Sequence, residues 1–200
     1  MHQLSRSLKY SFSTFPTLVL SLTRSLSTRN MPVPKTGDAL PDIVLYEGTP
    51  LTEIKPDAPP ITPVNLRDVF AGKKGVLVNV PGAFTPGCSK THLPGFVDSF
   101  AKFQAAGAEV IVFTAVNDPF VLTEWGVVYN AIGKIRFLAD THGKLAEAFD
   151  CVLDTTANLG NKRGKRFSVV VKDNVITHFN LDDGLSCSLA DPTLAQLASV

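Results

Sequence analysis

Cys88 follows the run Pro81-Gly82-Ala83-Phe84-Thr85-Pro86-Gly87 and precedes Ser89-Lys90-Thr91-His92. A cysteine at a Gly/Pro turn that opens a helix is placed for nucleophilic chemistry. The first turn of a helix presents unpaired N–H groups and the positive end of its dipole. Both favour the thiolate, which is the attacking form of the side chain. No Asp or Glu occurs between Asp68 and Asp98, while Lys90 and His92 add positive charge close by. Thr85, three residues before the cysteine, carries a hydroxyl able to donate and accept near the sulfur. Pro81 ends the preceding strand and removes an N–H from the loop.

Simpler roles exist for each of these residues. A cysteine is often inert packing, but packing does not require a Gly/Pro-rich strand-to-helix turn. Thr85 can be a cap, and Pro81 a strand terminator. His92 lies one helical turn beyond Cys88, a spacing that also suits zinc, yet no compact set of further ligands accompanies the pair. A hydrogen-bonding support role for His92 is the better expectation. No second cysteine stands three residues from Cys88, so a Cys-x-x-Cys dithiol is excluded. The other thiols, Cys151 and Cys187, are distant, and three cysteines are too few for a disulfide-stapled scaffold.

The surrounding pattern alternates strands and helices. Residues 75–80 read as a strand, and 88–106 as a helix with Pro94 marking a kink or restart. Residues 109–116 are a buried strand, 119–130 a helix, 135–138 a strand and 143–149 a short helix. Segments 167–172 and 175–179 flank Asp173-Asn174 as a hairpin, and 192–197 forms a closing helix. Residues 43–46 are a first strand, and Asn65 caps a helix over 66–70. Five prolines in 47–63 suggest a long surface excursion. The expectation is one α/β layered domain over 31–200.

Charge adds two features. Residues 1–30 contain Arg6, Lys9, Arg24 and Arg29, no acid, and many Ser and Thr. That composition describes a mitochondrial transit peptide. A secretory signal fits less well, because its apolar core would be short and interrupted by Pro16. Met31 offers an internal start for a cytosolic form. Lys162, Arg163, Lys165 and Arg166 form a basic run, a pattern of anion or nucleic-acid patches and more often of a solvated face. Arg166 directly precedes an apolar strand and is the member expected to point inward. A formal net charge of +1 implies no nucleic-acid partner for the whole chain, and no apolar run is long enough to span a bilayer.

The stretch Pro81–Cys88 resembles the peroxiredoxin active-site motif, Pro-x-x-x-Thr-x-x-Cys. Ser89-Lys90-Thr91-His92-Leu93-Pro94-Gly95-Phe96 is similar to the type-5 subfamily. The likeness continues through Val116-Asn117-Asp118, Glu124-Trp125-Gly126, Lys162–Ser168 and Leu185–Leu189, and covers roughly residues 37–197. The resemblance implies a thioredoxin-like fold, a central mixed sheet flanked by helices, and a thiol peroxidase without metal or other cofactor. It implies Cys88 as peroxidatic nucleophile and Thr85 with the Cys88 amide as holders of the peroxide. Pro81 becomes a shield, Arg166 a stabiliser of the anion, Gly87 and His92 supporting residues. It implies Cys187 as resolving thiol, thioredoxin or glutaredoxin as reductant, and a homodimer. Cys151 has no implied role. Phe113 stands where some relatives carry a further cysteine, and the Pro-rich 47–63 is longer than the family pattern. A non-catalytic redox sensor using the same cysteine is the rival; repeated turnover separates the two.

Overall fold

The computed structural model describes residues 33–200; the expected transit segment 1–30 lies outside the described residues. Val44–Gly48 (β1) pairs antiparallel with Ile61–Asn65 (β2). The Asn65 side chain accepts from the Arg67 amide and caps Leu66–Phe70 (α1). Lys74–Asn79 (β3) follows. The chain turns through residues 81–85 and passes a π-helical turn at Cys88–His92 into Leu93–Asp98 (α2) and Phe100–Ala105 (α3). Val110–Thr114 (β4), Pro119–Val128 (α4), Arg136–Ala139 (β5) and Lys144–Ala148 (α5) keep the alternation. Val152–Asp154 (β6), Thr156–Leu159 (α6) and Lys162–Gly164 (β7) form a small ribbon around a single helical turn. Arg166–Lys172 (β8), Val175–Asp182 (β9) and Ala190–Ala198 (α7) complete the fold.

Seven strands make one sheet in the order β2-β1-β5-β4-β3-β8-β9. β3 pairs parallel with β4 and antiparallel with β8, so the sheet is mixed. Strand side chains alternate between faces. Val76, Val78 and Val80 join Phe96, Phe103, Phe113 and Trp125 on one side. Leu77 packs with Val112, Leu138, Phe149 and Phe167 on the other. Both faces of the central strands are therefore buried, which is why they read as unbroken apolar runs. The Asp173-Asn174 turn has positive φ at both residues, 47° and 62°. This is the twist that a two-residue hairpin needs.

Three expectations change. The Pro-rich segment is not loop throughout, because β1 reaches Gly48 and β2 begins at Ile61. Pro63 sits within β2 opposite Tyr46, and an outermost strand tolerates a missing N–H. Helix 88–106 restarts near Pro94, as expected, but breaks again at Ser99, where φ is −90° and ψ 4°. The ribbon over 152–164 was not anticipated; its strands are three residues each and mostly polar.

Phe113 packs against the rings of His92, Phe96, Trp125 and Phe137. Phe113→Ala is expected to lower unfolding free energy by about 3–5 kcal/mol, the range for deleting a buried ring. Urea denaturation checks this.

Candidate active site

The site is built where β3 ends. The Val80 amide donates to the Thr114 carbonyl at 3.0 Å. Pro81, next in line, has no N–H to continue the ladder. The loop that follows is fixed by its own polar groups. The Thr85 hydroxyl donates to the Gly82 carbonyl at 2.9 Å, and the Ala83 amide donates to Asn117 Oδ1 at 3.0 Å. Phe84 holds φ 60° and is 52 % exposed. Helical backbone begins at Pro86, with the Ser89 amide donating to the Thr85 carbonyl at 2.9 Å. Proline suits a first helical position, where its lost N–H would have had no partner. The Cys88 amide falls within that first turn, and no acceptor takes it among the described residues. The Ser89 hydroxyl accepts from the Trp125 indole at 3.0 Å, tying the turn to α4.

Cys88 is fully buried. Arg166 Nη2 donates to its Sγ at 3.4 Å, and Arg166 Nη1 donates to His92 Nδ1 at 2.8 Å. Arginine has no acceptor, so His92 Nδ1 carries the lone pair. Its Nε2–H then donates to the Ser188 carbonyl at 2.9 Å. Both ring nitrogens are engaged, which leaves none for a metal. Burial pushes His92 down to about 4, with the Arg166 charge adding to the effect and the Ser188 carbonyl opposing it. The imidazole is thus a neutral bridge. Arg166 is 9 % exposed and forms no ion pair with a carboxylate among the described residues. The Cys88 sulfur and the His92 ring are the side chains that accept from this buried cation.

Arg166 is itself positioned by groups the sequence did not single out. Asn79 Nδ2 donates to the Lys165 carbonyl at 2.7 Å, one residue before the arginine. Gly164 makes room for that amide, since a Cβ there would lie 2.3 Å from Asn79 Nδ2. Across the hairpin, Arg166 stands in register with Asp182. Burial alone would raise the Asp182 carboxyl. The amides of Ser186, Ser188 and Gly184 and the Ser188 hydroxyl instead hold it well below the usual carboxylate range. The only sequence hint of Asp182 was a turn signature, Asp182-Asp183-Gly184.

The expected residues do not all converge. Pro81 and Arg166 line a cleft of about 400 Å³ together with Leu153, Lys165, Asp182, Asp183, Gly184 and Leu185. Gly87 lies beneath Leu185 and Arg166; a Cβ there would sit 3.2 Å from Leu185 Cδ1 and 3.4 Å from Arg166 Nη2. Cys187 is exposed on the β9–α7 loop, with its thiol donating to the Leu181 carbonyl at 3.3 Å. Both Cys88 and Cys187 are free thiols. Cys151 is buried in the opposite core layer, and burial pushes its thiol up to about 11. The basic run divides, as β7 leaves Lys162 exposed while Arg166 turns inward.

Residues 35–192 match the Redoxin family. Peroxiredoxin-2C of Oryza sativa subsp. japonica is 36% identical over 150 residues, 74% of this chain and 87% of that protein. The chain belongs to the peroxiredoxin family. Among solved peroxiredoxins, reduced Prx3 of Vibrio vulnificus in complex with hydrogen peroxide is 34% identical, with a TM-score of 0.73. The match covers 82% of this chain and 96% of that one. Peroxiredoxin 5 of Alvinella pompejana is also 34% identical at a TM-score of 0.71, covering 84% and 99%. This peroxiredoxin is of the type-5 kind, has a thioredoxin-like fold and is a thiol peroxidase.

Two outcomes follow from the geometry. Gly87→Ala places a methyl against Leu185 and in contact with the Arg166 fork, so the peroxide step should slow by a few-fold, about 2–5; stopped-flow kinetics with limiting peroxide measures it. His92 has a lower affinity for protons folded than unfolded. Between pH 6.5 and about 4 the unfolded chain therefore binds the extra proton, and stability falls as pH falls through that window. The buried Asp140 works in the opposite sense, pushed up by desolvation to about 6. Comparing wild type with His92→Asn isolates the histidine. The wild type should lose up to about 3 kcal/mol more across the window, read from urea midpoints.

Proposed function

We propose that Cys88 is the peroxidatic thiol of this peroxidase and that Cys187 resolves it. The observation that carries the reading is Arg166, a buried guanidinium without a carboxylate partner, donating to Cys88 Sγ at 3.4 Å. The sulfur attacks the terminal peroxide oxygen. An S–O bond forms, the O–O bond breaks, and the electron pair leaves with the distal oxygen, which takes a proton as water or alcohol. Cys88 becomes a sulfenic acid. The free Cys88 amide and the Arg166 fork supply donors where negative charge develops on oxygen. Because the Thr85 hydroxyl donates to Gly82, its lone pairs remain to accept the O–H of the peroxide. Pro81 forms an apolar wall of the cleft.

The second half of the cycle is carried by Cys187. Its exposure makes it reachable by the dithiol of a thioredoxin or glutaredoxin, whereas Cys151 is shut in the core. A resolving disulfide requires Cα atoms within about 7 Å, and any greater separation of Cys88 from Cys187 must be closed by backbone movement. The substrate class is hydrogen peroxide and small alkyl hydroperoxides. A homodimer is the assembly that membership of the family favours. Mitochondrial targeting through residues 1–30 rests on their basic, acid-free composition. Fusing a fluorescent protein to the chain with and without that segment tests it.

Cys88→Ser is expected to abolish peroxide consumption; turnover at the wild-type rate would remove the assignment. One equivalent of peroxide should give a Cys88–Cys187 disulfide in non-reducing peptide mapping. Cys187→Ser should keep the first peroxide step, accumulate sulfenic acid and lose cycling with thioredoxin.

A further inference from the structure

β3 and β8 run antiparallel, and their pairing ends with Asn79 opposite Phe167. One residue further β3 leaves, since the Val80 amide turns to Thr114 and Pro81 has no N–H. Arg166 therefore enters the sheet just where its neighbour strand stops. The peptide before it is held by other means. The Lys165 amide donates to the Cys151 carbonyl at 2.7 Å, and the Lys165 carbonyl accepts from Asn79 Nδ2 at 2.7 Å. That carbonyl shares one rigid plane with the Arg166 N–H. Fixing it fixes the direction in which the Arg166 backbone sets out. Asn79 is fully buried, and its Oδ1 has no partner among the described residues. A buried amide left half satisfied costs free energy, and its strand neighbours Leu77 and Val78 are apolar. Gly164, the last residue of β7, completes the arrangement. A Cβ there would collide with Asn79 Nδ2 and stand 3.2 Å from its Cγ and 3.3 Å from its Oδ1. The φ of Gly164 is not in the left-handed region, so the close approach of the amide, and not the backbone, calls for glycine.

We propose that Asn79 and Gly164 are a positioning pair for the peroxide step, holding the Lys165–Arg166 peptide and so setting where the guanidinium fork stands against Cys88. The inference rests on reading Cys88 as the peroxidatic thiol. The Asn79 side chain supplies the bond that the β3 ladder, turning away at Pro81, no longer supplies. The fork lies at the end of a long side chain, so a tilt of the peptide is amplified at Nη1 and Nη2. Those atoms donate to His92 Nδ1 at 2.8 Å and to Cys88 Sγ at 3.4 Å. The same fork must meet the oxygen on which charge develops as the O–O bond breaks, and preorganised donors lose their effect when displaced. An apolar residue at position 79 would leave no orphaned oxygen. It would also leave the Lys165 carbonyl without its donor and the peptide free to turn. The two members of the pair depend on each other. A side chain at 164 displaces the amide, and without the amide position 164 has no need of glycine. Both residues act through Arg166.

Asn79→Ala should slow the first peroxide step about three- to tenfold, the range that loss of one hydrogen bond spans. Stopped-flow kinetics with limiting peroxide reads it. The nitrogen NMR resonance of His92 Nδ1 should shift toward that of an imidazole nitrogen with no donor, a signal that a purely structural role would leave in place. Gly164→Ala should do both, by displacing the amide. Combined with Asn79→Ala it should add no further slowing, because the methyl then takes the space the amide has left. In an Arg166→Gln background, Asn79→Ala should also slow the step no further. A wild-type rate in folded Asn79→Ala overturns the proposal, as does slowing with the His92 resonance unmoved. Slowing that multiplies when both members are changed overturns the pairing. Slowing that persists in the Arg166→Gln background overturns the route through the arginine. Should Asn79→Ala not fold, Gly164→Ala with the same two readouts decides. Failure of Cys88 as the attacking thiol shows separately, as peroxide consumption by Cys88→Ser, and the His92 resonance then decides the pairing without kinetics.

Discussion

A guanidinium buried without a carboxylate is the constraint around which this protein is arranged. Taking a charge out of water costs several kcal/mol unless another charge or a full set of hydrogen bonds replaces the water. Arg166 meets that cost through the Cys88 sulfur and His92. An aspartate in the place of His92 would neutralise the cation and weaken its field at the sulfur. The fold instead lets Asp182, the cross-strand neighbour of Arg166, spend its oxygens on the amides and hydroxyls of the following loop. Two opposite charges stand side by side in the sheet, yet each has its hydrogen bonds directed elsewhere.

Burial, with the Arg166 charge beside it, keeps His92 neutral. A protonated imidazole would press a second positive charge against Arg166 in a desolvated space. As a neutral ring it does two things at once, accepting from the arginine and donating to Ser188. The aromatic neighbours Phe96 and Phe113 hold the ring in the plane that both bonds require. The core and the site are continuous here: packing of Phe113 sets the orientation of a hydrogen-bonding residue one contact away from the sulfur.

Much of this was legible in the sequence because it is local. β3, β4 and β8 are buried on both faces and announce themselves as apolar runs. Pro81, Thr85 and Cys88 share one turn, so their spacing alone describes a nucleophile at a helix start. Arg166 is 78 residues away along the chain. Nothing in its own surroundings separates it from Arg163 except the strand that follows, and it was reached through family resemblance. Asn79, Ser188 and Asp182 were not legible, since their roles consist of contacts to distant backbone groups. β2 was obscured by Pro63, whose missing N–H is harmless only at the outermost position of the sheet. β6 and β7 were too short and too polar to carry a period.

The indole of Trp125 has a consequence of a different kind. It is the chain's single tryptophan, fully buried, and its N–H is bonded to the hydroxyl of the residue after Cys88. Any rearrangement of the turn that bears the sulfur alters the polarity and hydrogen bonding around that one chromophore. The protein therefore carries its own optical label beside the turn that bears Cys88. Its emission can be followed through a catalytic cycle with no dye attached and no second tryptophan to blur the signal.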